Sequence, residues 1–234
     1  MALETLYTTE VITNMKHIFI SSTFKDMHYE RDLFHSTIMP KLNGYINPYG
    51  DKISFCDLRR DICIENIDTE KDAKQILSAC LDEIDLCDKS GSTPYMIVLL
   101  GNRYGWIPDH SLLKSVTWQK NFELKNRNSS ITELEIEYGA LRDTAHLKRT
   151  LFYFREFEED PPKNSKYAVD GNTDEDRAEY KKRLKALKKK ICRLPGSCVK
   201  TYQVHLADDG ETLLGLDTFS DMVIEDIRNS MEKW

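Results

Sequence analysis

A chain of 234 residues, 40% of them hydrophobic and 31% charged, carries enough apolar material for one sizeable domain core and a well-solvated surface. A formal net charge of −6 argues against a nucleic-acid binder as a whole, and no run approaches the roughly 18 apolar residues of a membrane-spanning helix. The N-terminus lacks the basic start and continuous apolar core of a secretion signal, and six cysteines without C-x-x-C spacing suit a reducing, cytoplasmic setting better than a disulfide framework or a zinc site.

Residues 1–15 read as an irregular lead-in and 16–234 as a single domain. His17-Ile18-Phe19-Ile20 is a buried-strand pattern, ended by the small hydroxyl residues Ser21, Ser22 and Thr23. Asp26 then stands where it can N-cap a helix over about 26–43, with Met27, Leu33, Phe34 and Ile38 at helical spacing. Glu30, Arg31 and Asp32 read as local helix ion pairs. A strand that stops in small polar residues and feeds a helix begins a βαβ unit. In open α/β sheets ligands sit at the carboxyl ends of strands, which points to Ser21, Ser22, Thr23 and Phe24. The plainer alternative is an ordinary capped loop.

Ile53-Ser54-Phe55-Cys56 reads as strand two, followed by a polar loop from Asp57 to about Asp68. Thr69 and Asp72 suggest a capping box for a helix whose face carries Ala73, Ile76, Leu77, Cys80, Ile84 and Cys87. The run 95–100, Tyr-Met-Ile-Val-Leu-Leu, predicts a strand buried on both faces. It ends in a shaped loop, Gly101-Asn102-Arg103-Tyr104-Gly105-Trp106-Ile107-Pro108, and residues 109–128 suggest a short helix and a lid. Ser130 to Glu133 resembles a capping box; Leu151-Phe152-Tyr153-Phe154 is a further strand. Residues 173–193 form a strongly charged helix, acidic first and basic last, with a narrow apolar stripe that suggests peripheral packing. Seven basic residues in ten over 181–190 read as a solvated helix face rather than a phosphate or RNA site. A strand over 199–205 and a helix over 216–234 close the chain. The order predicts a doubly wound, flavodoxin-like sheet of about five mainly parallel strands, with a charged helical insertion at about 156–198.

Glu133, Glu135 and Glu137 share one helix. Ile131, Leu134, Tyr138, Leu141 and Ala145 form its apolar face at 100° per residue, and Glu135 lies at the edge of that face. Gly139, one turn on, removes a side chain and leaves room for a ligand beside it. A glutamate so placed is a candidate for a raised pKa and for catalysis; the alternative is a solvated acidic helix. The six histidines show no metal-ligand spacing.

The run from His17 to Asp32 resembles the opening of the TIR-like domain found at the N-terminus of NACHT/STAND-type NTPases. The similarity continues through Asp57-Leu58-Arg59, residues 80–85, 100–108 and 130–139, in the family's order. The resemblance implies an N-terminal effector domain of an antiphage-type defence NTPase, cut from a larger multidomain protein and self-associating through the attached oligomerisation module. It implies cleavage of the nicotinamide–ribose bond of NAD by Glu135, the helical glutamate followed by an aliphatic residue and, four positions on, a small one. Ser21, Ser22, Thr23 and Phe24 would line the floor, Tyr104 or Trp106 would stack on a base, and Arg59 or Arg103 would meet the pyrophosphate. NAD enters as substrate, with no cofactor or metal. Two other readings stand beside it: a non-catalytic interaction or oligomerisation domain, and a deoxyribosyltransferase-like enzyme that would recruit Asp57 as its further carboxylate.

Overall fold

Alternation along each strand splits the core of this domain into two apolar layers. The computed structural model describes residues 15–46, 52–58, 70–122 and 128–231. Its strands are β1 (Met15–Ser22), β2 (Lys52–Cys56), β3 (Met96–Leu100), β4 (Thr150–Phe157), β5 (Cys198–Leu206) and β6 (Leu213–Leu214). They form one sheet in the order β2-β1-β3-β4-β5-β6, parallel from β2 to β5 and antiparallel only at β6.

Helix α1 starts at His28–Leu33, widens through a π-helical turn at Phe34–Ile38 and continues over Met39–Ile46. It is followed by α2 (Glu70–Lys89), α3 (His110–Gln119), α4 (Ile131–Tyr138), α5 (Thr144–Lys148), α6 (Asp174–Arg193) and α7 (Leu216–Met231). Ile18, Ile20, Ile97, Leu99, Leu151 and Tyr153 face α1 and α7; Phe19, Met96, Val98, Leu100, Phe152 and Phe154 face α2, α4 and α6. Successive residues of a strand thus bury into opposite layers, as the period-two geometry of a strand requires. Each such side chain, fully buried, contributes about 1.5–3 kcal/mol.

Several expectations change. The sheet has six strands rather than about five, the sixth a two-residue edge. The segment at 156–198 is not an insertion: β4 and β5 are parallel neighbours, so the chain must cross over between them, and α6 is that crossover. Nor is α6 merely peripheral, since Leu184, Leu187 and Ile191 are buried in the same layer as α2. Of the segment 109–128, the expected short helix is α3, which packs on α2 and buries Leu113 and Val116 rather than standing over a site; residues 123–127 lie outside the described residues. The lead-in up to residue 14, the Thr69 cap and most of the loop after β2 lie outside the described residues.

Candidate functional site

The carboxyl edge of the sheet is built from small hydroxyl side chains backed by buried charges. Ser21, Ser22 and Thr23 end β1 almost wholly buried, and their small size lets α1, α4 and the β3 loop close around them. Arg31 is buried beneath them. Its Nε donates to Ser22 Oγ at 2.8 Å and its Nη2 to the Ile20 carbonyl at 3.1 Å, while Nη1 pairs with Asp57. The Phe24 ring lies over its guanidinium at 5.0 Å.

A second buried charge cluster stands alongside. Arg155 of β4 donates from Nη2 to Asp26 Oδ2 at 2.5 Å and from Nη1 to Glu30 Oε1 at 2.8 Å; Tyr202 Oη donates to the same Glu30 oxygen at 2.9 Å. Thr23 Oγ1 donates to Asp26. Asp26 therefore does not cap α1: Met27 occupies that position with no side-chain cap, because Arg155 and Thr23 hold the Asp26 carboxylate. Glu30 and Arg31 are not surface helix pairs but wholly buried, partnered from β4 and from Asp57.

Glu135 comes into this edge from α4. Ser130 N-caps the helix, accepting from the Glu133 backbone N–H at 3.2 Å. The reciprocal half of the capping box is missing, because the Glu133 carboxylate accepts from Tyr104 instead. Glu137 pairs with Lys190. Glu135 alone of the three turns inward; it is 3% exposed and accepts from Ser21 Oγ at 2.5 Å. Burial pushes its pKa up, against the opposing pull of the Cys80 thiol, the Ser21 hydroxyl and the Arg31 charge. Burial and the neighbouring carboxylate raise the Cys80 pKa well above its usual value, which keeps that thiol a donor.

The room expected beside Gly139 is absent. A Cβ there would lie 2.6 Å from Met96 Sδ, so the glycine serves the packing of α4 against β3 rather than a ligand. The helix also ends at Tyr138, so Leu141 and Ala145 lie outside it.

A cavity of about 430 Å³ opens beside the carboxylate. Ser22, Thr23 and Phe24 lie along it, with Glu135, Arg103, Gly105 and Trp106 around it and Ile76, Ile131 and Tyr180 as apolar wall. Gly105, at φ +96°, turns the β3 loop within van der Waals reach of Thr23 and leaves Trp106 41% exposed. Lys25, Thr132 and residues 170–172 complete the wall; residues 170–172 carry no helix or strand period and gave no sequence signal. Arg103 pins that strip by pairing with Asp170 and donating to the Lys166 and Ala168 carbonyls at 3.3 and 3.2 Å; the Gly105 N–H donates to Asp170 Oδ2 at 2.9 Å.

Of the candidate residues, the structure thus gathers Ser22, Thr23, Phe24, Arg103, Trp106 and Glu135 around one cavity. Ser21 stands behind it, holding Glu135. Asp57 is buried against Arg31 and Tyr104 against Glu133, so neither lines it. Arg59 lies outside the described residues. Among the described residues no group of three His, Cys, Asp or Glu side chains is gathered as a metal site, and no helix is long and apolar enough to cross a membrane.

The class defined so far is a mainly parallel α/β domain with a buried helical carboxylate at the carboxyl edge of its sheet. The chain belongs to the family described as Domain of unknown function (DUF4062), whose model matches residues 17–204. It is similar to a TPR repeat-containing protein of Dictyostelium discoideum, 30% identical over 154 residues, which covers 59% of this chain and 8% of that protein. It is also similar to Telomerase protein component 1 of Mus musculus, 31% identical over 142 residues, and of Rattus norvegicus, 30% identical over 147 residues; each match covers 59% of this chain and 5% of the relative. The chain thus spans less than a tenth of the length of these relatives. No solved structure matches it.

Proposed function

We propose that this domain is a TIR-like effector module of a STAND-type defence NTPase, hydrolysing NAD at the nicotinamide–ribose bond when clustered by its parent protein. One observation carries the reading: of three glutamates on α4, only Glu135 borders the cavity, beside Trp106 and an arginine, Arg103, that a pyrophosphate would have to draw away from Asp170. The strand order 2-1-3-4-5 is that of flavodoxin-type sheets, whose ligands lie at the carboxyl ends of the strands. In the reaction the C–N bond to nicotinamide breaks and its electron pair returns to the pyridine nitrogen, which becomes neutral. Water then adds at the ribose carbon and loses a proton. An ionised Glu135 would stabilise the cationic ribose and receive that proton. Trp106 would stack on the nicotinamide or adenine ring and Arg103 would meet the pyrophosphate.

Nicotinamide release by the domain on a multivalent scaffold tests this. Glu135→Gln is expected to lower turnover by about 10²-fold or more, and Glu137→Gln to leave it within a few-fold. Equal losses would sink the assignment of Glu135. A second reading, a non-catalytic interaction domain, draws on the same carboxylate: it is nearly inaccessible and already held by Ser21, as a structural carboxylate would be. Absence of turnover and of NAD binding in a folded, clustered domain would select it.

A further inference from the structure

A second cleft, roomier than the cavity beside Glu135, lies elsewhere in the domain. This cleft of about 650 Å³ lies between the end of β3, at Gly101 and Asn102, the strip containing Ala168 and Val169, and one face of α6. Ala168 and Val169 border this cleft and the next residues, 170–172, border the other, so one strip of chain divides the two.

The charges of the cleft are unbalanced. Asp174 meets Lys163 at 3.2 Å and Arg177 at 3.3 Å. The other lining acid is Asp160, and the other lining cations are Lys181, Lys185 and Lys188. These three recur at intervals of four and three, which puts them on one face of the helix. Among the described residues none of the three ammonium groups has a carboxylate within ion-pair distance. Lys188 is half-buried, with Nζ 5.1 Å from the Phe154 ring centroid. Burial pushes its pKa down to about 8, the nearby Glu156 pulling it back and Arg155 adding to the fall. Lys181 and Lys185 are exposed at the rim; three like charges along one concave face repel one another, and an anion with adjacent charged groups relieves that repulsion. Val169, Ala178 and Leu184 supply apolar wall beside them. The volume lies within the range of small-molecule sites.

We propose that this cleft is a second ligand site, for a small phosphorylated molecule whose adjacent anionic groups are held by Lys181, Lys185 and Lys188. A concave site with an apolar wall selects a compact ligand over a nucleic-acid backbone, which would follow the open face of α6. The proposal is independent of NAD cleavage.

Calorimetric titration with ATP and with inorganic tripolyphosphate tests it. Binding of either is expected; tighter binding of ATP marks a nucleotide site and equal binding a polyphosphate site. Lys181→Gln/Lys185→Gln/Lys188→Gln should weaken binding by at least about tenfold, equivalent to about 1.4 kcal/mol. Ala178→Trp, which fills the cleft from an exposed position and leaves every charge in place, should weaken it comparably. Glu135→Gln should leave it unchanged. Failure of both probes to bind, or binding that survives Ala178→Trp, overturns the proposal. So does a single-stranded RNA oligomer that outcompetes both probes and is unaffected by Ala178→Trp.

Discussion

Arg155→Met is the most informative perturbation of the fold beneath the site. The substitution keeps a long apolar stem and removes a charge buried against two carboxylates that are themselves fully buried. Asp26 would retain the Thr23 hydroxyl and Glu30 the Tyr202 hydroxyl, but neither would have a cation. Removing one partner of such a buried cluster costs about 3–5 kcal/mol. With a urea slope of about 3 kcal/mol/M for a domain of this size, the unfolding midpoint should fall by about 1–1.7 M near neutral pH. The loss should also depend on pH. Burial already raises the Asp26 pKa while Arg155 pulls it down, so losing Arg155 raises it further. A carboxyl whose folded pKa exceeds its unfolded value gains stability as pH falls through the folded value toward the unfolded one. The deficit of the variant should therefore narrow as pH falls from neutral toward the usual carboxylate range. Asp26→Asn in the Arg155→Met background should recover part of the loss near neutral pH. A deficit below about 1 kcal/mol, or one that stays constant over that pH interval, would refute the view of these groups as one coupled buried unit.

Gly101→Ala should destabilise by about 1–3 kcal/mol in denaturant titration, because the new methyl would lie 2.6 Å from Arg155 Nη2 and 2.9 Å from Asp26 Oδ2, inside the same cluster. Ser130→Ala should cost about 1 kcal/mol by removing the α4 cap, seen as a fall of about 2–4 °C in thermal midpoint; an unchanged midpoint would mean the cap adds nothing. The raised Glu135 pKa means that the wild type loses stability as pH rises from the unfolded carboxyl value through the folded one. Glu135→Gln lacks that loss, so its stability relative to wild type should increase with pH across this window; a flat difference would refute the burial of this carboxylate. Under the NAD reading, nicotinamide release should rise with pH as Glu135 ionises, with its midpoint above the usual carboxylate range, and a midpoint inside that range would separate the activity from this group.

The parallel strands were legible because their signals are local. The runs at 18–20, 95–100 and 151–154 bury side chains on both faces, so continuous hydrophobicity marks them, while edge strand β2 buries only Ile53 and Phe55, both into one layer. Two-residue β6 carries no period and could not be read. The site was legible where residue type alone carried information: hydroxyls ending a strand, an inward glutamate at a helix face, an arginine and a tryptophan in a glycine-shaped loop. It was misread where the deciding partner is remote. Asp26, Glu30 and Arg31 look like a solvated helix start until Arg155 and Asp57 are seen against them. Gly139 looks like space until Met96 is seen to fill it. The basic run of α6 looks like a uniform solvated face, yet Lys188 folds over Phe154 at the edge of a cleft. Periodicity reports which face of an element turns inward, not what stands opposite.

The cluster around Arg155 also has a place in time. Arg155 reaches Glu30 across 125 residues of sequence and Tyr202 reaches the same carboxylate across 172. Closing contacts of that span has an entropic cost that local helices and neighbouring strands do not face, and contacts of this kind slow folding. The cluster is complete only after β1, β4 and β5 have docked with α1. Of the hydroxyls at the end of β1, Thr23 is the one that leans on this cluster, through Asp26, so its full support needs nearly the whole sheet. The floor of the cavity at Thr23 thus depends on strands that lie far along the chain from β1.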